Sequence, residues 1–174
     1  MSGINYNLKL IKGIALDVDG VLSPSTIPVD DNGNPMRMAN VKDGYALQLA
    51  VKYGYKIAII TGGKVESVRL RYNSLGIKDV FLGCNHKIGV FENWLNENRL
   101  SPPEVAYYGD DIPDLKCMRL AGLACAPYDA CHEARATAQY ISRFNGGYGC
   151  VRDLLEQILR ANNQWLADET AYGW

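Results

Sequence analysis

Residues 12–20 read Lys-Gly-Ile-Ala-Leu-Asp-Val-Asp-Gly, a short apolar run that ends in two aspartates. Such a run predicts a strand buried on both faces, as in a parallel sheet. Open α/β sheets bind ligands at the carboxyl ends of their strands, which is where Asp17 and Asp19 would lie. Neighbouring carboxylates in an apolar setting repel each other, and a hard cation such as Mg²⁺ would relieve that repulsion. On this stretch alone, a strand followed by an aspartate-rich turn explains the pattern equally well.

Length and composition are those of one globular domain, which we predict to span residues 1–174. Hydrophobic residues make up 48% of the chain and charged residues 21%. The formal net charge of −1 gives no global field that would attract nucleic acid or an acidic membrane, so neither partner is expected. There is no apolar run of membrane-spanning length and no signal-peptide pattern. The five cysteines form no C-x-x-C pair, and we interpret them as reduced thiols of a cytoplasmic protein.

Apolar runs and helical patterns alternate along the chain. Strands are predicted at 14–16, 56–60, 80–82, 105–108, 123–126 and 140–141, and helices at 46–53, 64–75, 87–95, 130–138 and 151–159. This alternation predicts an α/β fold with a doubly wound, mostly parallel, Rossmann-like sheet. The tail over residues 163–174 has no sustained period.

Residues 21–38 contain a turn signal, Asp31-Asn32-Gly33-Asn34, between two short extended segments. The pattern predicts a β-hairpin inserted after the first strand, with a solvated loop as the alternative. Three prolines in this segment argue against central strands and for a protruding hairpin. Because the insertion directly follows the two aspartates, it should overhang the site.

Three further groups of polar residues come at the ends of predicted strands. Thr61, Gly62 and Gly63 follow the second strand, where a hydroxyl and free amides at a helix start suit a phosphate. Lys87 opens a helix, a position that the helix dipole disfavours, so contact with a phosphate and the aspartates is the more attractive explanation. The carboxylates Asp110, Asp111 and Asp114 follow the fourth strand, although one of them could simply cap a helix.

The motifs Asp17-x-Asp19, Thr61, Lys87 and Gly109-Asp110-Asp111-x-x-Asp114, in this order, resemble those of the haloacid dehalogenase (HAD) superfamily of phosphotransferases. The resemblance covers roughly residues 8–160. It implies that Asp17 is a nucleophile that becomes an aspartyl phosphate and that Asp19 is the general acid and base.

The same resemblance implies a Mg²⁺ cofactor held by Asp17, the backbone carbonyl of Asp19 and Asp110. Thr61 and Lys87 would bind the phosphoryl oxygens. Asp111 and Asp114 would orient Lys87 or metal-bound water from behind the ligands.

The spacing of the motifs leaves no room for a large cap domain. In this the chain resembles the small phosphatases of 3-deoxy-D-manno-octulosonate 8-phosphate (KDO 8-phosphate), homotetramers in which the hairpin builds the core and a neighbouring subunit completes each active site. Asn40, Val41, Lys42, Asp43 and Gly44 match the substrate segment of that family. Further substrate contacts are implied for Gly62, Gly63, Lys64 and Arg71, with Arg71 ranked above Lys42 and Lys64 for the substrate carboxylate.

Two positions depart from the family pattern. Gly63 stands where an arginine is common, and His86 stands where an aspartate is common. The resemblance therefore implies a Mg²⁺-dependent KDO 8-phosphate phosphatase, with three alternatives. These are a phosphatase of a nine-carbon sugar acid 9-phosphate (2-keto-3-deoxynononate or N-acetylneuraminate), a non-catalytic oligomerisation domain related to those of cytidylyltransferases, and a receiver domain. The second aspartate of Asp17-x-Asp19 argues against a receiver.

Overall fold

The computed structural model of the protein describes residues 3–173, apart from the side chain of Thr170. The strands are β1 Gly13–Leu16, β2 Lys56–Ile60, β3 Asp79–Phe81, β4 Val105–Tyr108, β5 Leu123–Ala126 and β6 Tyr140–Ile141. The helices are α1 Val41–Lys52, α2 Glu66–Asn73, α3 Lys87–Glu97, α4 Leu115–Leu120, α5 His132–Thr137 and α6 Cys150–Ala161. Short 3₁₀ turns lie at Leu8–Leu10, Pro102–Glu104, Ile112–Asp114 and Glu169–Tyr172.

All six strands are parallel and form one sheet in the order β3-β2-β1-β4-β5-β6. Ile14 and Leu16 of β1 pack into a core with α1, α2 and α6, while Ala15 packs into a second core with α3, α4 and α5. Both faces of the sheet are covered, which is why the central strands are continuous apolar runs. The predicted doubly wound parallel fold is confirmed.

The predicted hairpin has only a short paired region. Residues 21–38 form a protruding loop with one antiparallel bridge, between Val29 and Pro35. The Met36 amide donates to the Pro28 carbonyl at 2.8 Å, and the Asp30 amide donates to the Asn34 carbonyl at 2.9 Å. The prolines provide no amide donor, so the two segments cannot extend a regular ladder.

Other boundaries also differ from the prediction. The helix expected at 64–75 spans Glu66–Asn73, and α4 was not predicted. Residues 41–44, expected to precede a helix, form the first turn of α1, because the Asn40 side chain caps that helix.

The tail packs back onto the domain. Trp165 lies edge-on to Tyr45, the guanidinium of Arg152 lies 4.3 Å from its ring, and the Tyr45 hydroxyl donates to the Ala171 carbonyl. Over residues 3–173, none of the helices has the length and apolarity needed to cross a membrane.

Candidate active site

The register of the sheet brings the ends of three strands together. Leu16 pairs with Ile59 of β2 on one side and with Tyr108 of β4 on the other. The residues that follow β1, β2 and β4 therefore emerge side by side at the carboxyl edge of the sheet. These residues include Asp17, Thr61 and Asp110.

Lys87 is the charged centre of this edge. Its Nζ lies 2.7 Å from Asp17 Oδ1 and 2.8 Å from Asp114 Oδ1. The Tyr107 hydroxyl donates to the same Asp114 oxygen at 2.9 Å. Burial opposes the charge on Lys87, but the two carboxylates outweigh it and raise the pKa of the lysine. Lys87 is therefore a fixed cation next to Asp17.

The acids outnumber the cation. Carboxylate oxygens of Asp17, Asp110 and Asp114 lie within 4.8 Å of one another, and Lys87 pairs only with Asp17 and Asp114 among the described residues. Burial, and then repulsion by Asp114, raises the pKa of Asp17, although Lys87 opposes the shift. Burial and repulsion by Asp17 raise the pKa of Asp110. A set of crowded carboxylate oxygens with excess negative charge fits a hard divalent cation.

Gly20 makes room for this cluster. Its φ is +86°, and a Cβ at this position would lie 2.9 Å from Asp110 Oδ1, with the other carboxylate atoms closer still. A larger residue would therefore displace Asp110, so the glycine after Asp19 has a steric role as well as a conformational one.

The cluster opens into a cavity of about 460 Å³. The Thr61 side chain is buried, and its Oγ1 accepts a hydrogen bond from the Gly63 amide at 3.0 Å. The cavity wall contains both predicted carboxylate groups and the predicted phosphate turn: Asp17, Asp19, Ser25, Thr61, Gly62, Gly63, Cys84, Asn85, Lys87, Asp110, Asp111, Pro113 and Asp114.

Asp111 and Asp114 differ in position. Asp114 is fully buried and touches Lys87, as the orienting position requires. Asp111 is exposed on the cavity wall and makes no contact with Lys87 in the described hydrogen bonds.

The predicted substrate segment does not reach this cavity within one chain. Asn40 caps α1 and donates to the Gly147 carbonyl at 3.1 Å. Asp43 Oδ1 accepts from the Arg152 amide at the start of α6 at 2.7 Å, and burial raises the pKa of Asp43 to about 6. Val41 and Lys42 line a separate groove. Within one chain, Asn40 therefore stabilises the start of α1, and Asp43 stabilises the start of α6.

The candidate carboxylate-binding cations also lie outside the cavity. Lys64 packs its aliphatic chain over Gly83. Arg71 lies on α2 with its Cζ 3.7 Å from the position of a Cβ on Gly44, the last residue of the predicted substrate segment. Its Nε is buried and has no hydrogen-bond partner among the residues that the structure describes.

Two residues at the site were not identified from the sequence. Tyr107 lies in a strand that reads only as an apolar run, so its hydroxyl contact with Asp114 could be suspected only from the residue type. Arg37 donates to both carboxylate oxygens of Asp19, from Nε at 2.7 Å and from Nη2 at 2.6 Å. It comes from the irregular loop, where no periodicity indicates which side chains turn inward.

A larger groove of about 900 Å³ lies between α1, β6 and α6. Its Arg152 and Arg160 share the single carboxylate of Glu156, which leaves one positive charge of these three groups unmatched. The crowded, excess carboxylates are in the smaller cavity, which we therefore take as the active site.

Comparison with known proteins places the chain among sugar acid phosphatases. No protein-family model matches it. The 3-deoxy-D-manno-octulosonate 8-phosphate phosphatase KdsC of Escherichia coli K12 is 37% identical over 154 residues, which cover 88% of this chain and 82% of that protein.

Two solved structures share the fold. The Moraxella catarrhalis 3-deoxy-D-manno-octulosonate 8-phosphate phosphatase, in complex with magnesium, phosphate and KDO, has a TM-score of 0.86 and 36% identity, with 91% of each chain covered. A Legionella pneumophila structure described as a HAD superfamily (subfamily III A) hydrolase has a TM-score of 0.88 and 34% identity, covering 95% of this chain and 90% of that one. With relatives this similar over most of its length, the chain belongs to the KdsC family of phosphoric monoester hydrolases within the HAD superfamily.

Proposed function

We propose that this enzyme hydrolyses KDO 8-phosphate to KDO and inorganic phosphate. The observation that carries the proposal is the pairing of Asp17 with Lys87 at 2.7 Å beside Asp110, at the carboxyl edge of the parallel sheet. The names of the relatives, and the KDO and phosphate in the Moraxella structure, support the substrate.

The reaction proceeds in two half-steps through Asp17. A carboxylate oxygen of Asp17 attacks phosphorus, the bond from phosphorus to the sugar oxygen breaks, and Asp19 gives its proton to that oxygen. Asp19 then removes a proton from water, whose oxygen attacks phosphorus and releases Asp17 and phosphate. Both residues return to their starting protonation states.

Thr61 and Lys87 would hold the phosphoryl oxygens during both half-steps. Lys87 supplies a fixed positive charge, and Asp114 with Tyr107 keeps its ammonium in place. Asp17 and Asp110, with the Asp19 carbonyl, would hold Mg²⁺, and Asp114 lies close enough to contribute. When bound, Mg²⁺ neutralises charge between the nucleophile and the phosphate.

We also propose that the enzyme is a homotetramer in which a neighbouring subunit completes each active site. Val29, Met36 and Met38 of the loop at 21–38 are exposed in the single chain, at 65%, 51% and 50%. Such side chains on a protruding loop suit a subunit contact. Light scattering at working concentration should give four times the chain mass, and a monomer would refute this assembly.

We place the enzyme in the cytoplasm. All five cysteines are free thiols, and three of them are buried, as expected for thiols kept reduced. Fractionation of the source cells would test this location.

Phosphate release from a panel of esters, with and without Mg²⁺, tests the proposed activity. The panel contains KDO 8-phosphate, the 9-phosphates of two nine-carbon sugar acids, and p-nitrophenyl phosphate. KDO 8-phosphate should have the highest kcat/KM. In the Asp17→Asn variant, turnover should fall to about one thousandth or less, because the amide is a poor nucleophile of similar shape. Wild-type rates in this variant would contradict the covalent mechanism.

A further inference from the structure

Arg37 holds Asp19 with a two-pronged contact. Its Nε lies 2.7 Å from Oδ1 and its Nη2 lies 2.6 Å from Oδ2. The Arg37 side chain is only 9% exposed, whereas that of Asp19 is 36% exposed and faces the cavity. Parallel hydrogen bonds of this kind fix the plane of a carboxylate as well as its position.

Gly63 is the position that admits this arginine. A Cβ at residue 63 would lie 2.9 Å from Arg37 Cζ and 3.3 Å from Nη1, so any side chain there would push the guanidinium away. The Gly63 amide meanwhile donates to Thr61 Oγ1, which ties this backbone to the phosphate turn. Arg37 therefore lies directly between the turn after β2 and the carboxylate of Asp19.

The contacts of Arg37 are concentrated on one residue. Two of its nitrogens donate to Asp19, while the third, Nη1, is buried without a hydrogen-bond partner among the described residues. An arginine whose role was only to stabilise the loop would gain more from carbonyls of that loop. Instead, Nε and Nη2 of Arg37 both donate to Asp19, an acid that faces the cavity.

We propose that Arg37 is a positioning residue that fixes the Asp19 carboxylate for proton transfer to the leaving sugar oxygen, and that Gly63 is required to admit it. This inference rests on the proposed role of Asp19 as general acid. Each carboxylate oxygen has two lone pairs, so the fork leaves one on each oxygen for the transferred proton. Arg37 acts through Asp19 and needs no contact with substrate.

Leaving-group chemistry tests this role. A sugar alkoxide is a poor leaving group that needs its proton, whereas p-nitrophenolate leaves readily without one. In Arg37→Ala, kcat for KDO 8-phosphate should fall by roughly ten- to a hundredfold, with KM changed less than about threefold. A neutral sugar phosphate such as mannose 6-phosphate should lose the same factor in kcat/KM, and p-nitrophenyl phosphate should lose less than about threefold.

Three results would overturn the inference. A loss confined to KDO 8-phosphate would make Arg37 a ligand of the sugar-acid carboxylate. Equal losses on all three esters would assign it to phosphate binding or to the fold. Unchanged rates would leave it without a role in the reaction. Arg37→Lys keeps the charge without the fork, so its rate on the sugar phosphates should recover only partly if orientation is what matters.

A second pair of variants tests the geometry without activity. Gly63→Ala should lower Tm in the wild-type background, because the methyl group meets the guanidinium, and should lower it much less in Arg37→Ala. Additive shifts in Tm would refute the packing of Arg37 against residue 63. The effects of Gly63→Ala and Arg37→Ala on kcat should also be non-additive.

Different results would exclude the proposed phosphatase activity and the proposed role of Arg37. If the wild-type enzyme releases phosphate from none of the esters, the proposed function fails and the role of Arg37 in proton transfer falls with it. If the wild type is active and Asp19→Asn is impaired, but Arg37→Ala behaves as wild type, only the positioning role fails.

Discussion

Lys87 and Asp17 form a buried ion pair at 2.7 Å, and the same ammonium contacts Asp114 at 2.8 Å. The lysine starts α3, the helix position least suited to a cation, so the two acids stabilise it there against the helix dipole. One cation thus orients the proposed nucleophile and holds the proposed phosphate site in place.

Removing that cation should be costly to the fold as well as to activity. Lys87→Met leaves Asp17 and Asp114 buried without a partner charge, and we expect the free energy of unfolding at pH 7 to fall by about 3–5 kcal/mol. Chemical denaturation with and without Asp114→Asn in the same background provides the measurement and its control. The second substitution should restore part of the loss, since it removes one orphaned carboxylate. Wild-type stability in Lys87→Met would mean that the contacts of Lys87 with Asp17 and Asp114 contribute nothing to the free energy of unfolding.

Magnesium binding should be coupled to proton release. Burial and mutual repulsion raise the pKa of Asp17 and Asp110, so protons compete with the metal for the same oxygens. Mg²⁺ should therefore bind with release of protons at neutral pH, and its affinity should fall as the pH is lowered. Isothermal titration calorimetry in two buffers of different ionisation enthalpy measures the proton count. Chelator should stop phosphate release, and Ca²⁺ should restore it poorly because its ligands lie at longer distances.

An Asp110→Asn variant controls for the assignment of the metal site. It should bind Mg²⁺ more weakly and release fewer protons. Full activity in chelator, or Mg²⁺ affinity independent of pH and of Asp110, would contradict the metal role assigned to this carboxylate.

Asp43 should make stability depend on pH in the mildly acidic range. Its carboxylate is buried, its Oδ2 has no hydrogen-bond partner within residues 3–173, and burial raises its pKa to about 6. The folded state therefore takes up a proton at higher pH than the unfolded chain does. Ionised Asp43 destabilises the fold above pH 6, and this penalty disappears as the pH falls from about 6 to about 4.

The Asp43→Asn variant isolates this effect. The amide oxygen can still accept from the Arg152 amide, but the group no longer ionises. The variant should gain stability relative to wild type as the pH rises from about 4 to about 7, by up to about 3 kcal/mol. Denaturation curves measured across this range provide the test. Parallel pH profiles for the two proteins would show that Asp43 does not titrate as its burial implies.

The sheet and the acidic site could be predicted from the sequence for a common physical reason. Parallel strands covered on both faces must be apolar runs, and polar residues at their ends then gather at one edge. Asp17, Thr61 and Asp110 follow that rule, and the register of β1 with β2 and β4 brings them together.

The features that could not be predicted from the sequence depend on contacts between residues far apart in the chain. The approach of Arg37 to Asp19 is set by an irregular loop, in which no period distinguishes inward from outward side chains. The segment that begins at Asn40 contains motif residues, but Asp43 turns towards α6, which starts more than a hundred residues later. The predicted hairpin is limited to one antiparallel bridge between Val29 and Pro35, because prolines remove the amides that a longer ladder needs.

Arg71 is the first candidate for binding the carboxylate of the proposed substrate. It lines a cavity of about 190 Å³ together with Arg37, and it makes no ion pair among the described residues. Gly63 provides no side chain at the turn after β2, so the carboxylate of the proposed substrate needs a cation from elsewhere. An arginine whose buried Nε has no partner in the described part of the chain can supply paired hydrogen bonds to that carboxylate.

A lost charged hydrogen bond is typically worth about 1.5–3 kcal/mol. Arg71→Ala should therefore lower kcat/KM for KDO 8-phosphate by roughly ten- to a hundredfold, with little effect on p-nitrophenyl phosphate or on a neutral sugar phosphate. This pattern differs from that of Arg37→Ala, which should impair both sugar phosphates alike. The exposed Lys78→Ala, outside the candidate site, serves as the control for loss of a positive charge. Equal losses on every ester in Arg71→Ala would assign the residue to the phosphate or to the fold, and the carboxylate site would then have to include Lys42 or Lys64.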